Sequence, residues 1–204
     1  GSSETLVLAE KRLEVLKAEY TVLKSMQGSE LVGKSYRPLF ALDGLDEREG
    51  AEKLYRVWAA DFVSIDDGSG VLHVAPAFGE DDLKLGQDNG LPVLMTIDTG
   101  GHVVGGIGFD EVKGKFFKGA DRSIIAHLTE QGQVYAAETF THTYPFCWRC
   151  ESPLLYYAIT SWYVKVSDIR GDLLKTAEEI NWVPGHIKEG RFGKWLEGAR
   201  DWSI

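Results

Sequence analysis

The sequence predicts a mixed α+β fold, and three observations carry that prediction. Short apolar or alternating segments recur between Gly, Pro and Asp turns. The clearest are Phe62-Val-Ser-Ile65 and Val71-Leu-His-Val74, which flank Asp66-Asp-Gly-Ser-Gly70 as the two arms of a hairpin would. Residues 120–131 place Ile124, Ile125 and Leu128 on one side of a helix that Gly132 stops. Neither internal repeats nor low-complexity stretches interrupt the pattern.

Composition bounds the possibilities. The 204 residues suffice for one large domain or two small ones, and 44% hydrophobic with 26% charged residues is globular rather than disordered. A net charge of −9 argues against broad, nonspecific attraction to nucleic acid, although a local basic patch serving an RNA ligand is compatible with it. No apolar run approaches the ~20 residues of a membrane span, and no signal peptide is visible. The two cysteines, Cys147 and Cys150, form one C-x-x-C and argue for a reducing, cytosolic compartment. The chain opens Gly1-Ser2-Ser3 without an initiator methionine and stops at Asp201-Trp-Ser-Ile204. It is expected to be an excised piece of a longer protein.

Taken in order, residues 5–24 read as a short strand, a helix and a second strand, and residues 29–40 as extended and turn-rich. Asp46 to Ala60 is charged, with partial helical periodicity through Leu54, Val57 and Trp58. After the hairpin, a helix beginning near Gly79 is predicted to end at Asn89-Gly90. Pro92–Ile97 is a buried-strand candidate, the glycines from Gly100 to Gly108 mark turns, and Val134–Tyr144 is strand-like. Tyr144-Pro-Phe-Cys-Trp-Arg-Cys150 makes a small knuckle, followed by strand candidates at 153–158 and 161–164. Helices are predicted over 168–179 and 187–199. Boundaries near 140 and 165 divide the chain into 1–140, 141–165 and 166–204.

The richest stretch is Gly70-Val-Leu-His-Val-Ala-Pro-Ala-Phe-Gly-Glu-Asp-Asp82. It reads as a strand, a proline turn and the acidic start of a helix, so His73 and the acids meet at a corner beside free helical N–H groups. Two readings stay open from the pattern alone. The helix dipole favours acids in a first turn without any function, and a lone strand histidine is often a packing partner. The alternative is a polar pocket.

Several separated motifs resemble the class I isoleucyl-tRNA synthetases. Residues 70–82 are similar to that family's editing-site signature, with Gly90-Leu-Pro-Val as its continuation. Tyr144-Pro-Phe-Cys-Trp-Arg-Cys-Glu-Ser-Pro-Leu resembles its cysteine-containing segment. Ser161-Trp-Tyr-Val, Asn181-Trp-Val-Pro, His186-Ile-Lys-Glu-Gly-Arg-Phe and Asp201-Trp-Ser-Ile resemble the segments leading back to the catalytic core. The resemblance implies a β-barrel-like editing domain with peripheral helices, then the cysteine segment and an α-helical tail. It implies part of an isoleucine–tRNA ligase whose segment here hydrolyses mischarged valyl-tRNA. Its partners would be the aminoacylated 3′ end of tRNA, the misattached valine and the catalytic core of the same polypeptide, with no membrane. The discrimination of isoleucine from valine is itself a standard example of why a second, hydrolytic sieve is needed: one methylene gives too little binding energy.

Carried over residue by residue, Asp82 resembles the carboxylate that grips the α-ammonium, and His73 the residue at the amino acid or terminal ribose. These are the two catalytic-site candidates. Ala75, Pro76, Ala77, Phe78 and Gly79 would line the pocket. Asp81 reads as a capping acid, and no side chain is assigned as general base. The family's threonine-rich pocket segment has no counterpart between Gly1 and Phe40. The pocket is therefore expected to lack one wall, and hydrolysis in isolation to be weak or absent.

Cys147 and Cys150 supply two thiolates where structural zinc takes four donors, so a half-site is expected, with zinc held in the longer protein. His142 reads as a surface or packing residue. Trp162, Trp182, Trp195 and Trp202 could stack on bases but read mainly as packing. Lys188, Arg191 and Lys194, spaced three apart, could meet phosphates or form a solvated face. The rival readings are the editing domain of a valyl- or leucyl-tRNA synthetase, and a non-catalytic tRNA-binding or structural module.

Overall fold

The computed structural model describes residues 4–45, 47–66, 68–139 and 141–204. The opening Gly1-Ser2-Ser3, Asp46 at the head of the charged stretch, Asp67 in the hairpin turn and Phe140 at the predicted boundary lie outside the described residues. The chain divides into two compact units, one up to Ala158 and one over Ile159–Ile204.

In the first unit, helices α1 (Glu80–Asn89) and α2 (Phe117–Glu130) are the regular elements. Both end by the same device. The N–H of Gly90 donates to the Gln87 carbonyl and that of Leu91 to the Gly86 carbonyl. At the end of α2, Gly132 donates to Thr129 and Gln133 to Leu128. Each closure needs a left-handed residue just beyond the last turn, and glycine supplies it at φ 65° and 68°. Lys53 Nζ also donates to the Asn89 carbonyl at 3.0 Å, which satisfies a further carbonyl at the end of α1.

The core of this unit is small. Val103, Phe109, Val112 and Ala120 are buried, Val112 completely, with Phe40, Ile97, Ile107 and Ile124 packed against them. The segment from Ile97 to Phe117 folds back on itself through bridges Ile97–Val103 and His102–Phe116. Asp98 shapes its turn: one carboxylate oxygen accepts the Gly100 and His102 N–H groups at 2.9 and 2.8 Å. These bonds favour the charged form and hold the Asp98 pKa below the ordinary carboxylate value, the His102 N–H contributing most.

The sequence leads one to expect a helix in the first 24 residues, and a 3₁₀ turn, Glu10–Val15, stands there instead. Arg12 departs from helical geometry inside it, and its guanidinium donates to the Gly68 and Asp66 carbonyls at 2.9 and 3.0 Å. The Ala9 N–H donates to the Ser69 carbonyl. Long-range bonds to the Asp66, Gly68 and Ser69 carbonyls thus compete with regular helix. The charged stretch after Asp46 carries a 3₁₀ turn, Ala51–Lys53.

In the second unit, α3 (Val166–Glu179) and α4 (Gly193–Glu197) bury Val166, Ala177, Leu196 and Ala199. Strands β1 (Tyr163–Val164) and β2 (Trp202–Ser203) pair antiparallel, Tyr163 opposite Ser203. Arg170 donates to the Ala199 carbonyl at 2.5 Å, and Asp201 accepts the Ser167 N–H at 2.8 Å. The region predicted as one helix over 187–199 is a π-type turn, Lys188–Phe192, running into α4. Gly190 breaks it with ψ −113°, a conformation that a residue lacking Cβ reaches at low cost. No helix among the described residues is long and apolar enough to cross a membrane.

Candidate functional site

The corner begins where the extended segment reaches Ala75. The Phe78 N–H donates to the Ala75 carbonyl at 2.8 Å and closes a turn over Ala75, Pro76, Ala77 and Phe78. Gly79 then caps α1 in extended geometry, and Leu83 donates to its carbonyl. Glu80, Asp81 and Asp82 fill the first helical turn, where the unpaired N–H groups and the helix dipole favour negative charge.

Asp82 does more than complement the dipole. Its Oδ2 reaches back across the turn and accepts the Ala75 N–H at 2.9 Å in a half-buried setting. That fold-back requires Gly79, because a Cβ there would lie 2.9 Å from both Cγ and Oδ2 of Asp82. Among the described residues Oδ1 carries no protein hydrogen bond. The result is a carboxylate fixed by one oxygen and open at the other.

The remaining predicted residues divide in two. Ala77 is buried at 3% exposure, and its carbonyl accepts the Ala158 N–H at 2.9 Å. The Phe78 ring meets Tyr157 edge-on at 6.1 Å, and the Tyr157 hydroxyl donates to the Ile97 carbonyl. Pro76 sits against Gly86, where a Cβ would approach its ring carbons at 3.0 and 3.1 Å. The turn is thus braced from behind. His73, by contrast, is exposed, and no hydrogen bond, ion pair or ring contact holds it among the described residues. Asp81 is exposed as well, as a capping acid would be. The structure brings Asp82 together with Ala75 through Gly79 and leaves His73 unoriented.

Sequence reasoning passed over Gly86, Tyr157 and Ala158. Gly86 carried a signal, since it lies four residues after Asp82 on the same face of α1 and is small where Pro76 approaches. Tyr157 and Ala158 carried none, because their contact with the turn spans some eighty residues.

The cysteine knuckle forms a tight hairpin. The Cys147 N–H donates to the Ser152 carbonyl at 2.8 Å and the Glu151 N–H to the Cys147 carbonyl at 2.9 Å, with Glu151 left-handed at φ 57°. Cys150 Sγ lies 3.4 Å from Ser152 Oγ. Hydrogen bonding, first to the Ser152 side chain and then to its backbone and to Cys147, lowers the Cys150 thiol pKa. His142 Nδ1 is 2.9 Å from the Thr143 carbonyl. Among the described residues no group of three or more His, Cys, Asp or Glu side chains is placed to hold a metal ion. The donor set fits two of the four ligands of a structural zinc.

In the second unit Trp182 and Trp195 pack on Phe192 at 4.7 and 5.8 Å, and the Trp182 indole donates to the Ala177 carbonyl. Lys188 donates to the Glu178 carbonyl at 3.0 Å, while Arg191 and Lys194 are exposed. Trp162 and Trp202 are exposed.

A carboxylate-bearing helix start on a braced proline turn, followed by a C-x-x-C knuckle, lies within one recognised assembly of sequence. Residues 11–204 match the class I tRNA synthetases for isoleucine, leucine, methionine and valine, and the chain belongs to that family. Within it the chain is similar to isoleucine–tRNA ligases, as its motifs indicate. It is 44% identical over 91% of its length to the isoleucine–tRNA ligase of Chlamydia pneumoniae, covering 17% of that protein. It is 43% identical over its whole length to that of Clostridium novyi, covering 19%, and 43% identical over 98% to that of Dehalococcoides mccartyi, covering 20%. The chain therefore spans about a fifth of the length of these relatives.

Proposed function

We propose that the corner over residues 70–82 is the part of an isoleucine–tRNA ligase that edits, accepting valine misattached to the 3′ end of tRNA for hydrolysis. The observation that carries this reading is the geometry of Asp82. Its anchored Oδ2 fixes the carboxylate at the turn, and its open Oδ1 can accept the α-ammonium of an aminoacyl ester in a charge-assisted hydrogen bond. Ala75, Pro76, Ala77, Phe78 and Gly79 are the wall against which a small side chain would lie, and His73 is the candidate for contact with the amino acid or the terminal ribose. The β-barrel-like arrangement of the extended segments belongs to the same proposal.

Among the described residues no partner fixes the tautomer of His73 or aims it, so His73 is not held there as an oriented general base. Hydrolysis then rests on a positioned water and on the hydroxyl of the substrate's own terminal ribose, and turnover by the chain alone is expected to be slow. Isoleucine attachment, a cytoplasmic location, the catalytic core as partner and a zinc shared by Cys147 and Cys150 belong to the longer ligase. The test is binding of a nonhydrolysable valyl-adenosine analogue by calorimetry. Saturable binding that Asp82→Ala lowers at least tenfold supports the reading. Binding that Asp82→Ala leaves unchanged overturns it in favour of a non-catalytic tRNA-binding module.

A further inference from the structure

Two adjacent tyrosines near the end of the first unit differ in their surroundings. Tyr156 is 65% exposed. Tyr157 is half-buried, and its ring meets Phe78 edge-on with centres 6.1 Å apart, the geometry of a favourable aromatic pair. Its hydroxyl donates to the Ile97 carbonyl at 3.1 Å. Ile97 in turn packs against the core of Val103, Phe109, Val112 and Ala120, and pairs with Val103. A line of contacts therefore runs from the core through Ile97 and Tyr157 to Phe78. The next residue adds a backbone bond to the same turn, the Ala158 N–H donating to the Ala77 carbonyl at 2.9 Å.

What such a support does follows from the make-up of the turn. Between Ala75 and Gly79, Phe78 carries the largest side chain, and it is half-buried. Pro76 is backed by α1 at Gly86, where an added Cβ would lie 3.0 Å from its ring. Phe78 is backed by Tyr157. An apolar wall tells valine from isoleucine by a single methylene, a difference of about 10–200-fold. That difference exists only where the wall does not yield. A closely packed surface makes an extra methylene costly, whereas one that relaxes admits it.

We infer that Tyr157 is a positioning residue: by holding Phe78 against the core, it sets the largest amino-acid side chain that the Asp82 corner accepts. Tyr157 acts through Phe78 rather than on the ligand itself. The inference rests on the editing reading for the identity of that ligand, an aminoacyl ester of a terminal adenosine.

The test is calorimetry of the whole chain with two nonhydrolysable analogues, valyl-adenosine and isoleucyl-adenosine, alongside amide hydrogen exchange. The unaltered chain is expected to prefer the valyl analogue by about tenfold or more. Tyr157→Leu keeps apolar bulk but removes the edge-on ring and the hydroxyl. It should bring the two affinities within about threefold of each other through a gain for the isoleucyl analogue. Exchange of the Phe78 and Ala158 N–H groups should quicken in that variant while α2 exchanges as before, which shows that the fold is kept. Tyr157→Phe should keep the valyl preference through its ring, and Tyr156→Leu should leave it unchanged. Weakening of both analogues alike in Tyr157→Leu, a retained valyl preference, or unchanged exchange at Phe78 and Ala158 overturns the inference. If Tyr157→Leu keeps the preference while Asp82→Ala weakens both analogues, the editing reading stands and the role of Tyr157 alone is removed. If Asp82→Ala changes neither affinity, or the unaltered chain binds neither analogue, the editing reading falls and the size limit falls with it.

Discussion

Asp82 Oδ2 accepts the backbone N–H of Ala75 at 2.9 Å, so the acid that opens helix α1 also holds the end of the preceding extended segment. The single contact gives Asp82 two separable roles. Asp82→Asn keeps an oxygen acceptor for Ala75 and removes only the charge, whereas Asp82→Ala removes both. In thermal or denaturant unfolding, Asp82→Asn is expected to stay within about 0.5 kcal/mol of the unaltered chain. Asp82→Ala should lose about 1–2 kcal/mol, because the half-buried Ala75 N–H is left unpaired. Both should lose valyl-adenosine binding. If Asp82→Asn binds the analogue as well as the unaltered chain does, the carboxylate's charge is not what grips the ammonium.

Gly86 faces Pro76 so closely that an added Cβ would sit 3.0 Å from one ring carbon and 3.1 Å from the next. Gly86→Ala therefore sets a gain of about 1 kcal/mol in helix propensity against crowding at the turn. Gly86→Val adds two methyl groups and β-branching to the same gap. It is expected to destabilise the chain by about 1–3 kcal/mol and to weaken analogue binding by shifting Pro76. A valine variant as stable as the parent would show that the turn yields freely.

How much of this was legible beforehand follows from where each signal resides. The end of α1 at Gly90 and the stop of α2 at Gly132 were read correctly, since a glycine after a periodic run is a local signal and both closures are local. The start of α2 at Phe117, a turn earlier than predicted, follows from the Phe117 N–H pairing with the Gly101 carbonyl. Residues 10–15 were misjudged for the same kind of reason: Arg12 finds its acceptors some fifty residues away. At the corner, sequence singled out Asp82 as an acid of the first turn, but its bond to Ala75 depends on Gly79 leaving room. Nothing in the pattern around His73 says that the ring stands exposed and, among the described residues, without a partner.

Asp98 offers a pH test whose sign is fixed by its partners. The His102 N–H, and then that of Gly100, bind its charged form and depress its pKa in the folded chain. A group so depressed contributes stability that is fully present above its unfolded pKa and lost as pH falls through the folded one. Unfolding monitored between neutral pH and pH ~2 should therefore show a decline beginning near the ordinary carboxylate value of ~4, which Asp98→Ala flattens. The carboxyl resonance of Asp98 should titrate below the ordinary aspartate value. Titration at the ordinary value would remove the turn's N–H groups as the cause.

The cysteine knuckle makes the last prediction. Its hairpin bonds, Cys147 N–H to Ser152 and Glu151 N–H to Cys147, are made by backbone groups alone. Two thiols in that frame, with no third donor placed to join them among the described residues, should hold zinc weakly. After dialysis against metal-free buffer the chain is expected to retain well under one equivalent of zinc and to present two thiols to a thiol reagent. Cys147→Ser should leave the unfolding midpoint nearly unchanged, since the free cysteines contribute little burial. One full equivalent retained through dialysis, with both thiols protected, would mean that further donors complete the site and that the knuckle is a whole metal centre.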